Sequence, residues 1–170
     1  QYTKELDSKE TVLLDKRKVN YAIYKSLDSN IELIDKINPT TLSKAIKNHV
    51  ELDNLRKSHI KDGVAVTKFM YWLKTNVNKM KITEISASDY LEELRKAGEG
   101  YIELSFDTIS AYGEHGAMMH YSATEETNSI LKAEGLLLVD SGGQYFEGTT
   151  DITRTFVLGP ISDEWKKHYT

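Results

Sequence analysis

The chain has 170 residues, a formal net charge of −4, 39% hydrophobic and 28% charged residues, and no cysteine. These values put it in the ordinary globular range, long enough for one good-sized core or for one domain and a piece of another. They exclude disulfide frameworks and thiolate metal sites, and they offer no basic block for nucleic acid and no apolar run near the ~20 residues of a membrane span. With no signal-peptide pattern, the composition fits a reducing cytoplasm. The single Asn-x-Thr pattern, Asn38-Pro39-Thr40, carries the proline that bars N-glycosylation.

In chain order, Gln1 to Asn38 reads as a strand at Thr11 to Leu14, a helix from Lys16 to Leu27 and a second strand at Ile31 to Ile34. A strand-helix-strand of this size leaves edges uncovered, so it reads as part of a preceding domain. Asn38-Pro39-Thr40-Thr41 marks the boundary, because proline pushes the residue before it out of the helical region. From Asn48, where Glu51 suggests a capping box, a long helix runs to about Val77 with Leu52, Leu55, Val66, Phe69, Leu73 and Val77 as its core face. Gly63 costs about 1 kcal/mol against alanine there, which implies close packing. A second helix is expected from Ser88 to Ala97, ended by Gly98. The charged faces of both helices read as solvated, and His49 and His59 as structural or surface residues without ligand partners.

After Gly100 the pattern changes to strand, loop and strand, the last strand covering Ala117 to Tyr121. Extended geometry would point His115 and His120 to opposite faces, which argues against a zinc pair. Gly135 to Phe156 then reads as a hairpin. The apolar run Leu136 to Val139 delivers Asp140 at its end, and Thr149 to Phe156 alternates with period two, so Thr149, Asp151, Thr153 and Thr155 share a face. A hairpin centred between Tyr145 and Phe146 sets Asp140 opposite Asp151, with Cβ atoms roughly 4.5–5.5 Å apart. Two carboxylates that close share a proton or hold a cation, and oxygen donors suit Mg, Mn or Ca. Local chemistry leaves open the plainer reading of Asp140 as a turn former and Asp151 as a solvated edge residue.

Asp140 to Phe156, DSGGQYFEGTTDITRTF, resembles the signature of the Xaa-Pro aminopeptidase (aminopeptidase P) family of creatinase-like, pita-bread metallopeptidases. Ser105 to Asn128 is similar to the segment of that family ending in His-Tyr. The resemblance implies an α+β fold: residues 1–39 the remnant of a creatinase-type N-terminal domain, and 40–170 the first half of a pita-bread domain with antiparallel strands and flanking helices. It implies Asp140 as a terminal ligand of one metal, Asp151 as a bridging ligand between two, and His120 as the catalytic, substrate-binding histidine. Two divalent ions, manganese first with zinc or cobalt as alternatives, would serve removal of the N-terminal residue from peptides with proline second. A dipeptidase of the same fold and a non-catalytic creatinase-like binding module are the alternatives. A cytoplasmic homodimer is implied, with no nucleic-acid or membrane partner. The remaining His and two Glu ligands belong downstream, and Ile161 to Thr170 reads as an interrupted helix, so the chain is expected to be an internal fragment, inactive by itself. His168 falls in that helix and is no ligand.

Overall fold

Asn20 and Asn38 decide where the first two helices begin. Their side-chain oxygens accept hydrogen bonds from the backbone N–H of Ala22 at 2.8 Å and of Thr40 at 3.0 Å, satisfying donors that a helix start leaves open. The computed structural model describes residues 5–7 and 9–169, so the outermost ends of both expected domains, at 1–4 and 170, lie outside the described residues. Two compact units divide between Asn48 and His49.

In the first unit, β1 (Thr11–Leu14) pairs in parallel with β2 (Glu32–Asp35), Thr11 opposite Glu32 and Leu14 opposite Asp35. The connecting helix α1 is only Tyr21–Lys25, not the Lys16 to Leu27 expected from apolar spacing. Asp15 explains the difference: its carboxylate accepts from Arg17 N at 3.0 Å, and its carbonyl accepts from Lys18 N and Val19 N. Such local bonds give the backbone a turn in place of helix until Asn20 can cap one. A short helix α2 (Pro39–Ala45) closes the unit.

The second unit is built on α3 (His49–Asn76) and α4 (Glu84–Lys96). Ser58, Asp62, Ala65, Phe69 and Leu73 form the buried stripe of α3, while Leu52, expected in it, is 40% exposed. Helix α4 starts four residues before the expected Ser88. Thr83 Oγ1 accepts from Ser86 N at 3.1 Å and Ser86 Oγ accepts from Thr83 N at 2.8 Å, a reciprocal capping box using serine. Its buried side is Glu84, Ala87, Leu91 and Arg95. The expectation of fully solvated charged faces is therefore corrected at Asp62, Glu84 and Arg95. The expectation of close packing at Gly63 is also corrected, since a Cβ added there would meet nothing within 4 Å.

Phe69, Leu73, Ile82, Leu91, Leu137, Val139 and Phe156 join the helices to an antiparallel sheet in the order β4 (Ile109–Tyr112), β5 (Leu136–Ser141), β8 (Ile152–Val157). A second antiparallel sheet orders β3 (Tyr101–Leu104), β6 (Gly143–Tyr145) and β7 (Gly148–Thr149). Helix α5 (Asp163–Tyr169) ends the described chain, with Ser162 Oγ accepting from Trp165 N at 3.2 Å.

Candidate metal centre

Strands β5–β6 and β7–β8 are the two arms of one hairpin. Asp140↔Thr153, Ser141↔Ile152, Gln144↔Thr149 and Tyr145↔Gly148 share a single register that closes on Phe146 and Glu147. The centre thus lies one residue beyond the expected Tyr145/Phe146 pair, and Asp140 faces Thr153, not Asp151. Tyr145 causes the shift. It is buried, and its hydroxyl donates to Asp62 Oδ1 at 3.1 Å, whereas Phe146 is 84% exposed at the tip. Displacing the pairing by two positions keeps the alternation, so Asp151 becomes the diagonal neighbour of Asp140 on one face, at a spacing of roughly 7–8 Å for such pairs.

The two carboxylates differ in their surroundings. Asp140 is half-buried and its Oδ1 accepts from Thr153 Oγ1 at 2.7 Å, which fixes its rotamer. Asp151 is exposed, and its side chain makes no hydrogen bond or ion pair among the described residues. One oriented and one uncommitted carboxylate on a common face suit a hard divalent cation, which takes anionic oxygen ligands. Among the described residues no group of three or more His, Asp or Glu is gathered as a metal site, so further ligands are needed.

His120 lies outside the hairpin. The expected strand over Ala117 to Tyr121 is absent: Gly113–Ala117 is a 3-10 turn and Met119 and His120 lie in a following turn. His120 is exposed and has φ 53°, a left-handed conformation that histidine adopts more readily than bulky residues. The argument from opposite strand faces does not apply to His115 and His120, because neither is on a strand. A Cβ at Gly116 would sit 3.9 Å from Leu138 Cβ, and Leu138 shares its face of β5 with Asp140. The 3-10 turn therefore lies over the carboxylate-bearing face, two residues along the strand.

Glu84 anchors the His120 segment from below. Its Oε1 accepts from Tyr112 N at 2.7 Å and lies 2.8 Å from His115 Nδ1, while Oε2 accepts from Tyr121 OH and Ser129 N, each at 2.9 Å. His115 also stacks on Tyr121, with ring centroids 4.5 Å apart. Burial raises the Tyr121 hydroxyl above its usual pKa; hydrogen bonding to Thr127 opposes this and Glu84 adds to it. This keeps the phenol a donor.

A second buried network lies on the other side of the hairpin. Arg95 Nε donates to Asp62 Oδ1 at 2.6 Å and Nη2 to Oδ2 at 3.2 Å, with both side chains fully buried. Nη2 also reaches Ser141 Oγ at 2.9 Å, and Thr150 Oγ1 donates to Asp62 Oδ2 at 2.8 Å. Sequence reasoning missed Asp62, Arg95 and Glu84 by assigning charge to solvent. The available signal was spacing: Asp62 falls at i−7 from Phe69 and Arg95 at i+4 from Leu91, both in register with buried apolar positions.

The helix-backed antiparallel sheets match the pita-bread fold of solved aminopeptidase and prolidase structures. The chain belongs to metallopeptidase family M24, whose pattern matches residues 53–170. It is 46% identical over 134 residues to a probable Xaa-Pro aminopeptidase P of Paracoccidioides brasiliensis (strain Pb03), covering 78% of this chain and 22% of that protein. Xaa-Pro aminopeptidase 2 of Mus musculus is 40% identical over 159 residues, covering 94% of this chain and 24% of its own. The chain thus spans about a quarter of the length of the curated relatives it matches. The structure of the X-prolyl aminopeptidase of Caenorhabditis elegans, a cytosolic enzyme with a di-nuclear active site, superposes with a TM-score of 0.85 at 35% identity, over 93% of this chain and 26% of that one. The Xaa-Pro dipeptidase of Bacillus anthracis shares the fold, with a TM-score of 0.74 at 24% identity, over 94% of this chain and 43% of that one.

Proposed function

We propose that this chain supplies the first part of the catalytic domain of an Xaa-Pro aminopeptidase, which removes the N-terminal residue from peptides with proline in second position. Residues 1–39 are assigned to the preceding domain and 40–170 to the catalytic one, a division one short helix before the break at Asn48. The observation that carries the reading is the placement of Asp140 and Asp151 on one face of a single hairpin, with Asp151 free of any protein partner among the described residues.

In this reading Asp140 and Asp151 would hold the metal, Asp140 as a terminal and Asp151 as a shared ligand, with His and Glu ligands from elsewhere in the full-length protein completing the set. Two divalent ions, manganese foremost, would supply a nucleophilic water at neutral pH and an electrophile for the scissile carbonyl. Thr153 holds Asp140 in its binding orientation through the 2.7 Å hydrogen bond. His120, presented on an exposed turn, offers an imidazole N–H to the substrate beside that carbonyl. The assembled enzyme is assigned to the cytoplasm, in keeping with the cytosolic relative, and is taken to be a homodimer.

The test is to load the full-length protein with manganese, determine metal content by elemental analysis, and follow cleavage of an Xaa-Pro-Xaa tripeptide and an Xaa-Pro dipeptide. Two ions per chain and metal-dependent release of the first residue from the tripeptide are expected. Cleavage of the dipeptide alone would mark a dipeptidase, and metal-free protein without hydrolysis would mark a binding module.

A further inference from the structure

The ion pair Asp62–Arg95 is an odd feature for a domain core. Burying two charges costs several kcal/mol each, and a pair of this kind adds little over well-packed apolar side chains. Arg95 Nη1 moreover meets no hydrogen-bond partner among the described residues. What the pair touches is more informative. Arg95 Nη2 donates to Ser141 Oγ at 2.9 Å, and Ser141 directly follows Asp140. Thr150 Oγ1 donates to Asp62 Oδ2 at 2.8 Å, and Thr150 directly precedes Asp151.

From these contacts we infer that Asp62, Arg95, Ser141 and Thr150 form a positioning clamp that sets the aim of both metal-binding carboxylates from the opposite side of the hairpin, an inference that rests on the metal reading above. Successive side chains on an extended strand point to opposite faces, so holding a residue on the inner face orients its neighbour on the outer one. Asp62 and Arg95 sit on α3 and α4, which makes the helical layer the reference against which the ligands are held. The two arms are also locked to each other. Gly143 N donates to Thr150 Oγ1 at 2.9 Å, Thr150 N donates to Gly143 O at 2.9 Å, and Ser105 Oγ donates to the Thr150 carbonyl at 2.9 Å. Between them Gly142 admits no side chain, since a Cβ would collide with the Thr150 carbonyl oxygen and the Ser105 hydroxyl. The hydroxyl of Thr150 is thus the shared node of clamp and hairpin, accepting from one arm and donating to the buried carboxylate.

The experiment compares Thr150→Val and Thr150→Ser with wild type in the full-length protein. Valine keeps the shape and loses the hydroxyl; serine keeps the hydroxyl. Manganese affinity by titration, the visible spectrum of the cobalt-loaded protein and the thermal midpoint are read together. Thr150→Val should remain folded, bind manganese roughly 10–100-fold more weakly and show an altered cobalt spectrum, the range typical of lost outer-shell support. Thr150→Ser should restore both. Wild-type affinity and spectrum in folded Thr150→Val would overturn the clamp, as would an equal loss in Thr150→Ser, which keeps the hydroxyl and would show that the hydroxyl does not carry the effect. Should Thr150→Val fail to fold, Ser141→Ala puts the same question to the Asp140 arm with the same two deciding outcomes. Wild-type protein that binds no manganese would defeat the metal reading itself, a result separate from any difference among variants.

Discussion

The hydroxyl of Tyr121 donates to Glu84 Oε2 at 2.9 Å, tying the residue after His120 to the first turn of α4. Glu84 has no exposed side-chain surface and faces four polar groups from three separate segments, so it acts as the post on which the histidine-bearing turn is hung.

Glu84→Gln should therefore lower stability. The amide retains one acceptor oxygen and turns an N–H₂ toward groups that also donate, so the loss of charge-assisted bonds is expected to cost about 1.5–3 kcal/mol. Urea unfolding of the full-length protein checks this. An unchanged midpoint would show that the four contacts are individually dispensable.

Asp140→Asn and Asp151→Asn should each empty or halve the metal content and abolish peptide hydrolysis in the full-length protein, because under the proposed function each would remove an anionic ligand from a centre that depends on charge neutralisation. Their folds should survive, since neither carboxylate is buried in the core. Elemental analysis showing wild-type metal together with wild-type turnover in both variants would sink the assignment.

His120→Ala should separate binding of metal from catalysis. Metal content is expected to stay at the wild-type level while the rate falls roughly 10²–10³-fold, the range for removing one preorganised donor. A parallel fall in metal occupancy would make His120 a ligand.

Gly63→Ala offers a test free of the site. The position lies inside α3 with open space around it, so alanine should stabilise the helix by up to about 1 kcal/mol by restricting the unfolded chain. Thermal unfolding at constant activity reads this directly. A lower midpoint would mean that something packs against Gly63 in the full-length protein.

The hairpin and its two aspartates were legible in the sequence because their cue is local: an apolar run, paired glycines and period-two threonines. Its register was not. That depends on Tyr145 reaching Asp62, 83 residues away, a contact no window of the sequence contains. The helices show the same division. Phe69 and Leu73 announce the buried face of α3, but Asp62 on the same stripe reads as solvated because its partner, Arg95, lies on another helix. Apolar spacing overextends α1 because it ignores the competing turn made by Asp15. For His120, the resemblance supplied the residue while strand-like composition supplied the wrong backbone; Glu84, which shapes that turn, carried no local sign of its role.

Strict alternation along β5–β6 has a consequence for how such a hairpin can vary in length. Residues 137, 139, 141, 143 and 145 are buried toward the helices, and Asp140 lies in the intervening set. Adding or deleting one residue between Asp140 and Tyr145 would exchange the two sets, turning a carboxylate toward Arg95 or Tyr145 away from Asp62. Only even-numbered changes, or an odd one absorbed by a bulge, would leave both faces intact. The arm is thus subject to a parity rule, while the Phe146-Glu147 tip, outside the pairing, is free of it.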